Sequence, residues 1–388
     1  MADAEGLRRR RGPGMSLLPE ANVISFARGI PSPDMFPLAQ LAESAKRAVE
    51  RDGRVALNYG PPAGFGPLRD WLGERHGVAP DRVVVLPGSL IGLNFVVWHL
   101  LCEGGSAIVE APTYDRMLDT LAAAGAGVVT VDRDADGLDL DRLRTLAAGN
   151  LRPKLLYLLP TFHNPTGRTL TLEQRHALVE IALEYELTVF EDDPYGLLRV
   201  EGEALPHVHE LLRARGGDDL AVFSSSFSKV VAPGLRVGYL LLPQGLVAPV
   251  EALATRTYVS PALLPQAQLH DFLAASMLEP HLELLRSFLL RRRDALLDVL
   301  DEQLPGHATW TRPEGGYFLW LELPQEIDAA ALNERARASG VAFVPGAGFF
   351  HGDRGHNTAR LSFSYPSVDE IRTGACLLAS LVREELDR

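Results

Sequence analysis

The chain has 388 residues, of which 46% are hydrophobic and 23% charged, and its formal net charge is −12. This composition is that of a globular protein, and the length predicts two domains because one core rarely exceeds roughly 250–300 residues. The negative charge disfavours nucleic acid as a partner, and no apolar run approaches the ~20 residues of a membrane span. Two cysteines, Cys102 and Cys376, predict a reducing, cytoplasmic location with no disulfide framework and no metal site.

The predicted elements begin after a polar, basic stretch over residues 1–22, where we expect a mobile arm whose arginines are solvated. Helical periodicity starts near residue 39 and returns over 68–75, on either side of a loop rich in turn residues. From there short apolar strands alternate with helices. The strands are predicted over 83–86, 107–110, 154–159, 188–191, 220–224 and 236–242.

These strands lack polar alternation and have helices between them, so we predict an α/β fold with a buried, mainly parallel mixed sheet between helices. A long amphipathic helix over 280–304 then leads into a smaller α+β domain. Its further elements are predicted as strands 315–323, 341–344 and 359–364 and helices 328–339 and 367–386. We divide the chain into an N-terminal arm with the segment that follows it (1–38), a large domain (39–279) and a small C-terminal domain (280–388).

Lysine chemistry has few candidates, because the lysines are Lys46, Lys154 and Lys229. Lys229 closes the run Ser-Ser-Ser-Phe-Ser-Lys over 224–229, just past a predicted strand end, where ligands bind in such sheets. A lysine in this position can form an imine with an aldehyde cofactor. The alternative is a serine-rich loop with a solvated lysine.

Hydroxyl groups and an arginine around this lysine predict a phosphate site. Ser226 and Ser228 supply donors, and Arg236 supplies a permanent planar cation. Ser89 follows a glycine at the start of a predicted helix, where free backbone N–H groups bind anions. Ordinary helix capping is the alternative for Ser89.

Polar residues also follow two other strands. Asp192 can keep a pyridine nitrogen protonated, since an opposite charge nearby favours the charged form. Tyr195 and Asn164 can hydrogen-bond an oxygen on such a ring. The alternatives are a helix cap for the acidic strand end and an ordinary turn around Asn164. His163 has no neighbour in sequence that would orient it as a base.

Arg360 lies on an otherwise apolar strand, where burial is costly unless the guanidinium has a partner. A substrate carboxylate held through two parallel hydrogen bonds would be one such partner. A structural ion pair is the alternative. Tyr114 follows another strand and can either stack on a cofactor ring or belong to the core.

In this order along the chain, the motifs resemble the class I/II aminotransferases, which are fold type I pyridoxal 5′-phosphate (PLP) enzymes. The similarity extends from residue 24 to residue 360 and is closest to the 2-aminoadipate and kynurenine aminotransferase branch. It rests on Ser226-x-Ser228-Lys229, Gly234-x-Arg236-x-Gly238, Asn164-Pro165-Thr166-Gly167 and Asp192-x-x-Tyr195.

The resemblance implies a role for each of these residues. Lys229 would carry PLP as a Schiff base and move a proton between the substrate Cα and C4′ of the cofactor. Asp192 would pair with the pyridinium, Tyr195 and Asn164 would hold the ring 3′-oxygen, and Tyr114 would stack on the ring. The Asn164–Pro165 bond would be cis, as in relatives.

The same resemblance implies ligands for the phosphate and for the substrate. The implied phosphate ligands are Ser89, the backbone amide of Leu90, Ser226, Ser228 and Arg236. Tyr59 would reach the phosphate of the neighbouring subunit, which implies a homodimer with shared active sites. The implied ligands of the substrate α-carboxylate are Arg360, Asn164 and the backbone amide of Gly29.

Two positions depart from the family pattern. The branch usually has Gly-Gly where this chain has Arg28-Gly29, and Gly-Ser-Gln where it has Gly88-Ser89-Leu90. Leu90 has no side-chain donor, so it can contact phosphate only through its backbone. Arg28 can bind a second substrate carboxylate, narrow the pocket, or face solvent.

The expected reaction is amino transfer between an L-amino acid and a 2-oxo acid, such as 2-oxoglutarate, by a ping-pong mechanism. The same residues serve C–S β-elimination, decarboxylation or oxidative deamination, and these remain alternatives. A transcription regulator with an aminotransferase-like domain would need an N-terminal winged-helix domain. Only about 20 residues precede the similarity, so we disfavour that interpretation.

Overall fold

The computed structural model describes residues 23–134 and 137–387, so the arm predicted over 1–22 lies outside the described residues. The strands are β1 (Ile24–Ser25), β2 (Val83–Leu86), β3 (Ser106–Ala111), β4 (Gly127–Asp132), β5 (Leu155–Leu158), β6 (Thr188–Asp192), β7 (Ala221–Ser226), β8 (Gly238–Leu241), β9 (Thr309–Trp310), β10 (Phe318–Glu322), β11 (Val341–Ala342), β12 (Val344–Pro345) and β13 (Thr358–Ser362). The helices are α1 (Leu38–Ala56), α2 (Gly66–His76), α3 (Ser89–Leu101), α4 (Asp115–Ala124), α5 (Leu140–Ala148), α6 (Leu172–Glu184), α7 (Val208–Ala214), α8 (Gln244–Tyr258), α9 (Leu263–Ala274), α10 (Leu278–Gln303), α11 (Ala329–Ala338) and α12 (Val368–Leu386).

A seven-stranded sheet in the order β2-β8-β7-β6-β5-β3-β4 forms the centre of the molecule. The neighbouring strands β7, β6, β5, β3 and β4 run parallel to one another, whereas β8 runs antiparallel to both β7 and β2. Parallel strands place their carboxyl ends at one edge, which gathers the residues that follow β5, β6 and β7. The predicted α/β fold with a mainly parallel mixed sheet is confirmed.

Helices cover both faces of this sheet because successive strand residues point to opposite sides. On β5, Leu155 and Tyr157 belong to the apolar cluster that contains α3, α4 and α8. Leu156 and Leu158 belong to the cluster on the other face, with α5, α6 and α7. All four residues of the strand are buried, which explains its continuous apolar sequence.

The C-terminal part carries a second sheet in the order β12-β13-β10-β9, and α10 packs there against α12. The short strand β1 pairs in parallel with β11, so residues near the start of the described chain join this part of the molecule. This arrangement confirms the smaller α+β domain. The division at residue 280 stays a prediction.

Local bounds differ from the predictions where backbone geometry intervenes. The strand predicted over 341–344 is two strands, because β11 pairs with β1 while β12 pairs with β13 in the other sheet. The strand predicted over 236–242 begins only at Gly238, because Arg236 adopts a left-handed conformation with φ 54°. No helix of the described residues is both long and apolar enough to cross a membrane.

Candidate active site

Lys229 lies three residues beyond the end of β7 and is anchored at both its amine and its backbone. Its Nζ donates a hydrogen bond to the carbonyl of Gly29 at 2.6 Å, and its own carbonyl accepts one from the Tyr317 hydroxyl at 2.6 Å. Burial lowers the pKa of Lys229 to about 8, assisted by the charges of Arg360 and Arg236. A lysine with a lowered pKa has more of the neutral amine that attacks an aldehyde.

Asp192 ends β6 and has one oxygen satisfied and one free. The Tyr157 hydroxyl donates to its Oδ2 at 2.9 Å, whereas no described residue gives a hydrogen bond to its Oδ1. Burial raises the pKa of Asp192 to about 6, and the bond from Tyr157 opposes that rise. A buried carboxylate oxygen without a partner is costly, and a protonated ring nitrogen would satisfy it. The residue therefore fits the pyridinium of PLP.

A tight junction between β8 and α3 brings together residues that were predicted to bind phosphate. Gly88 has φ 97°, and a Cβ placed on it would lie 2.3 Å from Nη2 of Arg236. A Cβ on Gly238 would lie 2.3 Å from the backbone nitrogen of Ser89. Only glycine allows both approaches, and they bring the arginine beside the first N–H groups of α3. This combination of cation and helix start fits a phosphate group.

Ser226 and Ser228, the two serines nearest Lys229, adjoin the same junction between β8 and α3. Ser226 pairs across the sheet with Gly238, its hydroxyl donates to the carbonyl of Val237 at 3.3 Å, and it accepts the backbone N–H of Ser228 at 3.1 Å. Both serines are buried, with 6% and 8% of their surface exposed. The structure therefore brings Ser226 and Ser228 to the junction, with the Ser226 hydroxyl turned to the backbone.

Arg360 lies on β13 and is buried without a carboxylate. It donates to Oδ1 of Asn164 at 2.9 Å and to the carbonyl of Ala27 at 3.2 Å, and its guanidinium lies 4.2 Å from the ring centre of Phe318. Within residues 23–134 and 137–387 no acidic group lies at ion-pair distance, so the alternative of a structural ion pair is wrong for these residues. Burial lowers its pKa, and a bound carboxylate would neutralise this charge.

A buried polar cluster around Glu110 contacts the loop that carries Asn164. Glu110 bonds to Arg133, accepts the backbone N–H of Leu159 at 2.9 Å, and lies 3.3 Å from Nε2 of His163. Burial lowers the pKa of His163. His163 thus supports the loop rather than facing the site as a base. The Asn164–Pro165 bond is cis, as the resemblance implied.

The predicted tyrosines occupy three different environments. Tyr195 is 3% exposed, and its ring centre lies 5.4 Å from that of Tyr317. Tyr114 precedes α4, and burial raises its pKa, with a smaller contribution from the charge of Asp192. Tyr59 is 83% exposed and projects from the surface, and Leu90 is 39% exposed at the start of α3. The structure thus brings Tyr114 and Tyr195 towards Asp192, but not Tyr59.

Arg28 is buried, so the solvent-facing alternative is wrong. Only 8% of the residue is exposed, and its guanidinium lies 4.9 Å from the ring centre of Tyr365. No acidic side chain of the described ranges lies at ion-pair distance from it. The next residue, Gly29, provides the carbonyl that binds the Lys229 amine, so the backbone of Arg28 lies next to this contact.

Sequence reasoning missed several contacts of this site. It did not identify Tyr157 as the partner of Asp192, nor Phe318 and Phe349 as the rings beside Arg360. A hydroxyl on the otherwise apolar strand β5 was the available signal, because a buried tyrosine usually finds a hydrogen-bond partner. The two aromatic rings carried no comparable signal.

The lysine amine, the free carboxylate oxygen and the junction between Arg236 and the start of α3 lie at one edge of a seven-stranded mixed sheet. These features define a PLP-dependent enzyme of fold type I. The chain belongs to the aminotransferase class I and II family, whose sequence profile matches residues 21–375. It is therefore an aminotransferase that moves an amino group between an amino acid and a 2-oxo acid, as predicted.

Named relatives and a solved structure support this assignment. The chain is 37% identical over 361 residues to the 2-aminoadipate transaminase of Thermus thermophilus, covering 93% of this chain and 90% of the relative. It is 32% identical over 384 residues to aromatic-amino-acid aminotransferase 1 of Thermococcus litoralis, covering 96% and 91%. The crystal structure of an α-aminoadipate aminotransferase from Thermus thermophilus, complexed with N-(5′-phosphopyridoxyl)-L-leucine, matches with a TM-score of 0.90 and 35% identity. That match covers 95% of this chain and 94% of the other.

Proposed function

We propose that Lys229 is the residue that carries PLP and that transfers the proton during amino transfer. The observation that supports this most directly is the position of its amine, which lies beside Gly29 and is influenced by the charges of Asp192, Arg236 and Arg360. Bound PLP supplies an electron sink that stabilises negative charge at the substrate Cα. With the cofactor bound, Lys229 would provide the neutral amine that takes the Cα proton and returns it at C4′.

The other residues hold the reacting groups in place. Asp192 is proposed to keep the ring nitrogen protonated, Tyr195 and Asn164 to bind the 3′-oxygen, and Tyr114 to pack on the ring. The phosphate ligands are proposed as Ser89, the backbone N–H of Leu90, Ser226, Ser228 and Arg236. The buried surroundings exclude water, which strengthens each charged contact.

The test of this assignment is chemical. When purified protein is incubated with PLP and reduced with borohydride, the cofactor should become attached, as a label, to the peptide that contains Lys229. Lys154→Ala, which removes another of the three lysines, is the matched control and should label like the wild type. Label on any peptide other than that of Lys229 would overturn the assignment.

Arg360, with Asn164 and the backbone amide of Gly29, is proposed to hold the substrate α-carboxylate. A guanidinium can bind a carboxylate through two parallel hydrogen bonds, and the Nε of Arg360 has no partner among the described residues. Its bond to Asn164 fixes the plane of the fork before substrate arrives. Preorganisation of this kind reduces the ordering cost of binding.

Arg28 is proposed to bind a second carboxylate, which makes dicarboxylic substrates such as 2-oxoglutarate the favoured class. A buried arginine that stacks on Tyr365 but has no acidic partner among the described residues keeps a charge for a ligand. Because a charged hydrogen bond contributes about 1.5–3 kcal/mol, Arg28→Ala should lower kcat/KM for dicarboxylic substrates about 10- to 100-fold. Neutral amino acids should lose much less. Equal losses for both classes would remove this proposal.

A homodimer with shared active sites is proposed from the exposed apolar residues around Tyr59. Leu57 and Val259 are 68% and 59% exposed, and a Cβ on Gly60 would contact the side chain of Leu263, so the two segments adjoin. A second copy would cover this surface and receive Tyr59 at its phosphate site. Mixing the Tyr59→Ala and Lys229→Ala variants should restore activity, since each hybrid dimer has one intact site. Mixtures that stay as inactive as the separate variants would contradict sharing.

A cytoplasmic location is proposed from the thiols. Cys102 and Cys376 are both free and exposed. Free thiols on a protein surface persist in reducing compartments.

A further inference from the structure

Behind Asp192, on the other face of the sheet, lies a group of side chains that the transfer reaction does not use. Successive residues of a strand point to opposite faces, so Glu191 faces away from the cofactor site. It meets His207 and His209, which lie just before and within the first turn of α7. Asp193 follows on the same side. Glu191 and His209 are 0% and 2% exposed, so these groups are not part of a solvated surface.

Two of the distances between these groups are close to those between ligands that share one ion. One ligand atom from each of Glu191, His207 and His209 lies within 4.8 Å of the others. Nδ1 of His207 lies 3.3 Å from Oε1 of Glu191 and 3.6 Å from Oδ2 of Asp193, and Nδ1 of His209 lies 2.9 Å from Oε2 of Glu191. Ligands about 2.0–2.1 Å from a tetrahedral zinc ion are separated from one another by about 3.3–3.5 Å. The contacts of His207 are close to that spacing and are long for hydrogen bonds.

Glu191 does not need the two imidazoles in order to be buried. Its oxygens already accept the backbone N–H groups of Val208 at 3.1 Å and of His209 at 2.8 Å. Each oxygen retains a second lone pair, and one imidazole Nδ1 lies near each oxygen. Two imidazoles therefore converge on one carboxylate, as they would around a shared ion.

Glu191 and Asp193 place two carboxylates close together here, and the imidazole of His207 contacts both. Arg175 is the nearby buried arginine, but it bonds to the carbonyls of residues 160, 170 and 206 and to the Thr161 hydroxyl. Neither carboxylate is in direct ion-pair contact with an arginine within the described ranges. A metal ion held between the carboxylates and the imidazoles would place positive charge beside both carboxylates.

A cavity of about 350 Å³ gives access to the group. His207 and Asp193 line it, together with His76 and Tyr239. His76 Nε2 and the Tyr239 hydroxyl are 2.9 Å apart, so they add polar groups to the lining of the cavity. The space is large enough for water molecules, which commonly complete the coordination of a bound ion.

We propose that Glu191, His207 and His209 bind a first-row divalent metal ion, for which zinc is the probe, with Asp193 and water completing the coordination. Imidazole nitrogens and carboxylate oxygens are the mixed ligand set that zinc and its neighbours accept. The ion would link the carboxyl end of β6 to the start of α7, one residue from Asp192. The cysteine-based sequence analysis predicted no metal site, and the three ligands form no recognisable spacing motif.

The experiment measures zinc bound to the holoenzyme. Protein stripped with a chelator is given ZnCl2, passed over a desalting column, and assayed for metal per chain. The wild type should retain about one zinc, and His207→Ala/His209→Ala should bind it at least 100-fold more weakly. His176→Ala is the matched control, because His176 is exposed on α6, and it should bind zinc like the wild type. Equal zinc affinity of the wild type and the double variant would overturn the proposal.

Two further measurements protect the test against a folding defect. His209→Gln keeps a hydrogen-bond donor for Glu191, so it should fold normally and still lose zinc. Independently, Co²⁺ added to the wild type should give the strong visible absorption of a low-symmetry nitrogen and oxygen site. A Co²⁺ spectrum identical to that of the free hydrated ion would show that the histidines only donate hydrogen bonds to Glu191, and the proposal would fail.

Discussion

The bond from Tyr157 to Asp192 should set the pH range in which the apoprotein accepts its cofactor. Tyr157→Phe removes the 2.9 Å hydrogen bond at Oδ2 and leaves the ring in the core. The carboxylate must be charged to pair with a protonated pyridine nitrogen. Because burial raises the pKa of Asp192 to about 6, cofactor affinity in the wild type should increase as pH rises through that value.

The size of the effect follows from the strength of the bond. A hydrogen bond to a charged group contributes about 1.5–3 kcal/mol, and 1.36 kcal/mol corresponds to one pKa unit. Loss of the donor while burial remains should therefore raise the pKa of Asp192 by about 1 to 2 pH units. The sign is fixed, because the tyrosine stabilises only the charged form. PLP should bind the variant almost normally above about pH 9 and much more weakly near neutrality.

The assay is a titration of the apoprotein with PLP, followed by absorbance, at a series of pH values. The ionisations of PLP itself are common to both proteins, so the difference between their midpoints isolates Asp192. Tyr239→Phe is the matched control, since it removes another buried hydroxyl, which bonds to His76 at 2.9 Å. Coincident midpoints for the wild type and Tyr157→Phe would refute the reasoning.

Three other predictions concern the amine, the substrate fork and the supporting cluster. The rate at which the apoprotein binds PLP should rise as pH increases through about 8, the pKa of Lys229, because only the neutral amine attacks the aldehyde. Stopped-flow rates that do not change between about pH 7 and 9 would contradict this. Arg360→Lys should lower kcat/KM for amino acids about 10- to 100-fold, because an ammonium cannot form two parallel hydrogen bonds to the substrate carboxylate. Unchanged steady-state kinetics would argue against a substrate carboxylate at Arg360. Glu110→Gln should lower the free energy of unfolding by about 3–5 kcal/mol, because the buried Arg133 loses its carboxylate partner. Urea denaturation measures this loss, and Glu173→Gln is the control at an exposed position.

Much of the large domain follows from local sequence. The apolar runs that form β2, β5 and β6 are buried on both faces, so their composition alone identifies them. One strand with a half-exposed pattern, β4, was not predicted. The strand β4 has one fully buried residue, and it lies at the edge of the sheet, where polar and apolar residues mix.

The candidate site could be proposed from the sequence where the type of residue itself indicates the chemistry. Lys229, Asp192 and Arg360 are costly to bury without a purpose, and each follows or lies on an apolar strand. Partners that come from distant segments were not predictable. The contact of Lys229 with Gly29 joins residues 200 positions apart, and no local pattern encodes it.

The strand β1 and the residues that follow it bond to both parts of the molecule within a few positions. Ile24 pairs with Val341, the carbonyl of Ala27 accepts from Arg360, and the carbonyl of Gly29 accepts from Lys229. A shift of the C-terminal sheet relative to the seven-stranded sheet should therefore also move the Gly29 carbonyl, which accepts the hydrogen bond from the Lys229 amine. If Arg360 binds substrate as proposed, this short piece of extended chain would couple substrate binding to the orientation of the Lys229 amine.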